Sequence, residues 1–376
     1  MLSRRSFFKT AFKTAGISLA AAASGSLTTD MLAWAEPRRA AQSGGPVLLN
    51  SNENAYGPFA SVLALNNPFQ DVNRYPDHAH DALIERIASY QKIDARRVVL
   101  GCGSTEVLRM TANAFTGPGK KVIMAAPTFE AIEHYGRVAG AEVVKVPLAA
   151  NFSHDVSAML HAAGADTGLV YVCNPNNPTG NVTPRRTLEN LINELPKNVY
   201  VLMDEAYHDF VPVSADYISF LEHPVDEDRV IVARTFSKIY GLAGLRLGYA
   251  VTSAKTAKLL REQKLEDSQN IFAIRCALAS LDDTAAHSQA AQRNADDRNE
   301  FFRQALARKL ETIPSWTNFA MLNAKRPVRS VIDHFRQNNI AVGRPFPPLD
   351  TYVRVSLGKP DEMKEFWRAW DLMMAA

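Results

Sequence analysis

From Val98 onward the chain repeats one pattern: a short, continuous run of apolar and largely β-branched residues, a turn, then a helical stretch. The runs are Val98-Val99-Leu100, Lys121 to Met124, Glu142 to Val146, Leu169 to Val172, Val199 to Met203, Val230 to Ala233 and Leu247 to Val251. Continuous apolar runs bounded by turn residues mark strands buried on both faces. Strands separated by helices argue for a mostly parallel sheet flanked by helices. The expected fold class is therefore α/β, with ligands gathering beyond the carboxyl ends of the strands. At 376 residues, 47% hydrophobic, the chain can bury one large core or two medium ones.

After Ser253 the pattern changes. Long helical stretches run from Ala254 to Leu281 and from Ala290 to Leu310. Strand-like Asn318 to Leu322, a helix over Val328 to Asn338, strand-like Tyr352 to Ser356 and a helix from Asp361 complete a smaller α+β domain. Val47 to Asn66 has no regular period and reads as an arm packed on that domain. The expected division is a leader over 1–35, an arm over 36–66, a large domain over 67–253 and a small domain over 254–376.

The leader contains Arg4-Arg5-Ser6-Phe7-Phe8-Lys9, a mildly apolar run to about Leu27, and Ala33-Trp34-Ala35. A charged start, a short apolar stretch and a small-x-small site make an export signal, and the paired arginines resemble the twin-arginine type that exports folded proteins. The alternatives are a tail or an uncleaved anchor. The run is too short and too polar for a permanent membrane span. Cleavage after Ala35 would leave a periplasmic protein beginning at Glu36, and retention would leave a cytoplasmic one. A net charge of +3 with no basic stripe gives no nucleic-acid footprint. Cys102, Cys173 and Cys276 lack the spacing of a disulfide framework or a zinc site, and Cys102 and Cys173 read as buried fillers. The histidines show no metal-binding spacing, and His78 and His80 fall in a polar turn.

Four strings carry chemistry. Gly101-Cys102-Gly103-Ser104-Thr105-Glu106 leaves a strand and opens a helix. Its glycines admit a phosphate to the free N–H groups of the helix start, or Ser104 simply caps that helix. It lacks the lysine of a P-loop. Asn174-Pro175-Asn176-Asn177-Pro178-Thr179-Gly180 is a tight, rigid loop, more heavily specified than a surface turn needs. Asp204-Glu205-Ala206-Tyr207 puts a carboxylate at a buried strand end, where it needs a cationic partner unless it caps a helix. Arg234 to Gly248 sets Lys238 after a strand, among hydroxyls and glycines, with Arg246 eight residues on. A nucleophilic lysine needs such a pocket to lose its proton; otherwise it is a surface charge.

Taken together, and in this order, these strings resemble the fold-type I pyridoxal-phosphate aminotransferases, most closely the histidinol-phosphate aminotransferase group. Asn50 to Pro58 resembles that group's N-terminal arm, Arg74-Tyr75-Pro76-Asp77 its next landmark, and Ser315 to Phe319 and Val353 to Gly358 its C-terminal strands. The resemblance implies that Lys238 holds pyridoxal 5'-phosphate through a Schiff base and then moves the substrate proton. It implies that Asp204 pairs with the ring nitrogen and keeps the ring an electron sink. Asn177 and Tyr207 would bond the ring hydroxyl, Phe129 would stack on the ring, and Gly103, Ser104, Thr105, Ser237 and Arg246 would hold the phosphate. Arg354 would bind the acidic group of the substrate. Tyr56 would reach the neighbouring subunit's cofactor, making a homodimer. The implied reaction moves an amino group from an amino acid, or an amino alcohol phosphate such as histidinol phosphate, to a 2-oxo acid. A lyase, decarboxylase, racemase or cyclase on the same fold is the alternative; a binding protein would not need Lys238, Asp204, Asn177 and Arg246 together.

The sequence departs from that group at three points. Ala55 stands where the arm usually has proline. Arg344 sits in the proline-rich string Gly343-Arg344-Pro345-Phe346-Pro347-Pro348, where it faces the substrate with Phe346 as a wall, or belongs to a rigid surface turn. The export signal points away from histidine synthesis, which is cytoplasmic.

Overall fold

The computed structural model describes residues 45–375, apart from Pro68 and Ala215. The 1–35 leader lies outside the described residues. The strands are β1 (Val47–Leu49), β2 (Val98–Gly101), β3 (Lys121–Ala126), β4 (Glu142–Pro147), β5 (Thr167–Cys173), β6 (Tyr200–Asp204), β7 (Val230–Thr235), β8 (Gly248–Val251), β9 (Thr312–Ile313), β10 (Phe319–Asn323), β11 (Ile340–Val342) and β12 (Tyr352–Ser356).

A seven-stranded sheet runs in the order β2-β8-β7-β6-β5-β3-β4. Its pairings from β7 through β4 are parallel, while β8 is antiparallel to both β7 and β2. Alternate residues feed two cores. Leu100, Ile123, Val170, Val172, Val201, Met203 and Val232 join one; Val99, Val122, Met124, Leu169, Tyr171, Leu202 and Ile231 join the other. Both faces are covered, which is why these strands read as unbroken apolar runs. The parallel strands therefore deliver Cys173, Asp204 and Thr235 to one edge of the sheet, where the motif loops begin.

The antiparallel sheet β12-β10-β9 builds a third core around Leu322, Phe335, Val353, Phe366 and Trp370. The arm reaches this region through β1, which runs parallel to β11. From Pro46 onward the described residues form one compact unit. Among them, no helix is long and apolar enough to cross a membrane.

Three local expectations change. The stretch expected as one helix from Ala254 is two, Ala254–Arg261 and Ile271–Asp282. Between them Asp267 adopts a positive φ of 52°, and the Leu265 N–H and Ser268 hydroxyl both donate to Glu106. The Asn270 side chain then caps the second helix by accepting from the Ala273 N–H. His78 and His80 lie in the first turn of helix Asp77–Gln91, not in a turn between elements. Cys173 is buried as expected, but Cys102 is only half-buried.

Candidate active site

The glycine-rich string builds an anion cradle at the start of helix Ser104–Phe115. Gly103, not Ser104, occupies the cap position, with φ 73° and ψ 164°. A Cβ on Gly103 would lie 2.3 Å from Arg246 Nη2. The Arg246 guanidinium bridges the cradle, donating to the Ser237 hydroxyl and to the Thr105 hydroxyl, each at 3.4 Å, and to the Ala243 carbonyl at 2.9 Å. Gly248 lets β8 approach closely, because a Cβ there would meet the Ser104 nitrogen at 2.4 Å. A buried helper missed in the sequence fixes the loop: Glu106 accepts from the Cys102 N–H at 2.6 Å. Burial opposes its ionisation, but that N–H, the Leu265 N–H, the Ser268 hydroxyl and Arg109 outweigh it and hold its pKa below the ordinary value.

Lys238 follows β7 on a loop tied by the Phe236 N–H to the Leu247 carbonyl. Its Nζ donates to the Asn52 carbonyl at 3.1 Å and lies 5.4 Å from the centre of the Tyr207 ring. Burial lowers its pKa to about 8, and Arg354 and Arg246 push the same way, with Arg354 the stronger. The amine is thus partly neutral near pH 8, as a nucleophile or proton carrier requires.

Asp204 ends β6. It caps no helix: one oxygen accepts from the Ala206 N–H at 3.1 Å, and the other accepts from the Tyr171 hydroxyl at 2.8 Å. Burial raises its pKa to about 6 despite these donors. The carboxylate is short of cationic company, and a cationic group bound beside it would lower that pKa. Tyr171 was hidden in the sequence because it sits inside the apolar run of β5.

Arg354 of β12 donates to Asn177 Oδ1 at 2.6 Å and to the Asn50 carbonyl at 2.8 Å. Its buried Nε has no partner. Burial lowers its pKa to about 10. The Tyr207 hydroxyl accepts from Asn52 Nδ2 at 3.1 Å, and its ring meets Phe319 edge-on at 5.1 Å. Asn52 itself has a positive φ of 54°, exchanges hydrogen bonds with Ser356, and shares its carbonyl between Lys238 and Asn318 Nδ2. Asn52, Asn318 and Ser356 carry no chemical signature of their own and escape sequence reasoning. Phe129 is half-buried and packs against the core that holds Tyr171 and Cys173.

Of the remaining expected residues, Tyr56 makes none of these contacts, while Arg344 shares the Phe346 ring with Arg354. The Tyr56 hydroxyl donates to Asp297 at 3.0 Å, and its ring lies under Arg293. Arg344 pairs with Glu130 and covers Phe346, which is buried rather than part of a surface turn.

The class I and II aminotransferase family model matches residues 45–369. The chain belongs to that family. A histidinol-phosphate aminotransferase of Moorella thermoacetica is 34% identical over 326 residues, 86% of this chain and 84% of the relative. An aromatic amino acid aminotransferase of Rhodococcus jostii is 36% identical over 327 residues, 86% and 88% of the two chains. The solved histidinol-phosphate aminotransferase of Sinorhizobium meliloti in complex with pyridoxal-5'-phosphate superposes with a TM-score of 0.79 at 27% identity, covering 85% of this chain and 88% of that one. This aminotransferase is an enzyme of the pyridoxal-phosphate class, and its cradle, buried amine and cation-poor Asp204 fit that cofactor.

Proposed function

We propose that Lys238 is the residue that anchors the cofactor and moves the substrate's α-proton, and that Arg354 fixes the acidic group of the amino donor. The single observation that carries this reading is a buried lysine, its Nζ on the Asn52 carbonyl, in one site with a buried arginine whose Nε is unpartnered. Gly103, Ser104, Thr105, Ser237 and Arg246 would hold the cofactor phosphate, Asp204 the ring nitrogen, Asn177 and Tyr207 the ring hydroxyl, and Phe129 the ring face. When bound, the cofactor supplies an electron-withdrawing ring. The chain's own residues do the rest. Arg354 orients the donor, Asp204 keeps a positive charge in place, and Lys238 Nζ carries the proton. The donor is an amino acid or an amino alcohol phosphate, and the acceptor is a 2-oxo acid.

The same reading makes the enzyme a homodimer in which Tyr56 exchanges its Asp297 contact for the neighbouring cofactor. It also makes 1–35 a twin-arginine signal handled by the export machinery, with the mature enzyme in the periplasm. The support for export is the Arg4-Arg5 string and the Ala33-Trp34-Ala35 site. Amino-terminal sequencing of periplasmic material should start near Glu36, and material starting at Met1 in the cytoplasm contradicts export. For the site, borohydride should fix the cofactor to the wild-type chain and not to Lys238→Ala. An adduct on another lysine would remove Lys238 from the role.

A further inference from the structure

Two guanidiniums share the Phe346 ring. Arg354 lies 4.7 Å from its centre and Arg344 lies 4.3 Å from it, and the ring is only 5% exposed. Phe346 packs with Ile313 and Met321 in a small core of its own, so the ring is a fixed wall.

The arginines differ in their counter-charges. The hydrogen-bond partners of Arg354 are neutral, Asn177 Oδ1 and the Asn50 carbonyl. Arg344 already holds a carboxylate: it donates to Glu130 Oε2 and also to the Pro345 carbonyl. Glu130 directly follows Phe129 and precedes helix Ala131–Val138, so it stands where the ring-facing loop turns into a helix. Glu130 and Arg344 both act on Arg354, with opposite sign, which brings all three charges into one field.

A carboxylate entering this field gains most at Arg354, a buried cation with no anionic hydrogen-bond partner. A dianionic group would need Arg344 as well. There it must either displace Glu130 or lie beside it, and like charges in contact disfavour binding. An uncharged side chain meets no such repulsion.

We infer that Glu130 is a specificity-determining residue: by neutralising Arg344 beside Arg354, it makes the pocket select a donor with one carboxylate and an uncharged side chain over a dianionic donor, whether phosphate or dicarboxylate. The inference rests on Arg354 being the anion site of the reading above.

The test uses the holoenzyme, wild type and Glu130→Gln. Two non-reacting carboxylates, 3-phenylpropanoate and glutarate, are titrated against the absorption of the bound cofactor. In parallel, kcat and KM are measured for phenylalanine and for histidinol phosphate. Wild type should favour 3-phenylpropanoate and phenylalanine. Glu130→Gln should move both preference ratios toward the dianionic member by about two- to fivefold, the effect of releasing one partly exposed ion pair, and through Kd and KM rather than kcat. Ratios that do not move, or a wild type that prefers glutarate and histidinol phosphate, overturn the assignment. If no donor yields amino transfer, the donor reading fails, while the ratio of the two carboxylate affinities still decides the role of Glu130.

Discussion

Replacing Gly103 with alanine tests the cradle more sharply than any charge removal. The backbone there, at φ 73° and ψ 164°, lies in a region that only glycine occupies readily, and holding another residue in it costs about 1–3 kcal/mol. The new Cβ would also stand 2.3 Å from Arg246 Nη2 and 2.9 Å from Arg246 Cζ, so the guanidinium must move. Its bonds to the Ser237 and Thr105 hydroxyls, at 3.4 Å, are long and yield before the backbone does, while the 2.9 Å bond to the Ala243 carbonyl keeps the side chain tethered outside the cradle. A charge-assisted hydrogen bond lost from the phosphate is worth about 1.5–3 kcal/mol. The cofactor affinity of Gly103→Ala should therefore fall roughly 10- to 150-fold. The assay is an absorbance titration of the apoenzyme with pyridoxal phosphate, beside a thermal melt of the apoenzyme that reads the strain separately. Gly244→Ala is the control, since a Cβ there meets nothing within 4 Å. An affinity for Gly103→Ala within about twofold of wild type would refute the cradle, because that is well under the energy of one such bond.

Other expected outcomes concern the charges around Lys238. The folded pKa of Asp204, about 6, lies above its ordinary 3.8, so the folded apoenzyme binds that proton more tightly and loses stability as pH rises from about 4 to about 6. Asp204→Asn lacks this titration; wild type should lose up to roughly 3 kcal/mol relative to it across the window, read by melts at several pH values, and a constant difference contradicts the argument. Arg354→Ala should raise KM for carboxylate donors by more than about tenfold, as loss of a charged bond requires, with little change in cofactor affinity. An unmoved KM removes Arg354 from the substrate site. Arg234 is buried and paired with Glu205 at 2.8 Å, and Glu205 also accepts from Ser219 and the Phe220 N–H. Arg234→Met strands that carboxylate and should cost about 3–5 kcal/mol in urea unfolding; adding Glu205→Gln should restore most of it.

The large sheet was legible because its inner strands are covered on both faces, leaving apolar runs such as Leu169 to Val172, whereas edge strand β4 is partly exposed and carries Lys145. The motif loops were legible because glycine, proline and paired hydroxyls are costly to place without a ligand. What stayed hidden depends on partners far along the chain. Asn270 marks locally where the second helix starts, but the groups that shape the break after Arg261 bond to Glu106 on another helix. Tyr171 looks like core until Asp204 is found beside it. Glu130 looks like a surface charge until Arg344 arrives from the other end of the sequence.

The bond network at Asn52 has a consequence for the life of the molecule. Asn52 and Ser356 are separated by 304 positions, and Asn318 shares the Asn52 carbonyl with Lys238. The lysine is therefore held between nearly the first and nearly the last described segments. During synthesis its hydrogen-bonding surroundings stay incomplete until almost the whole chain has emerged. A chain ending before Asn318 or Ser356 would lack part of the frame that holds Asn52 against Lys238.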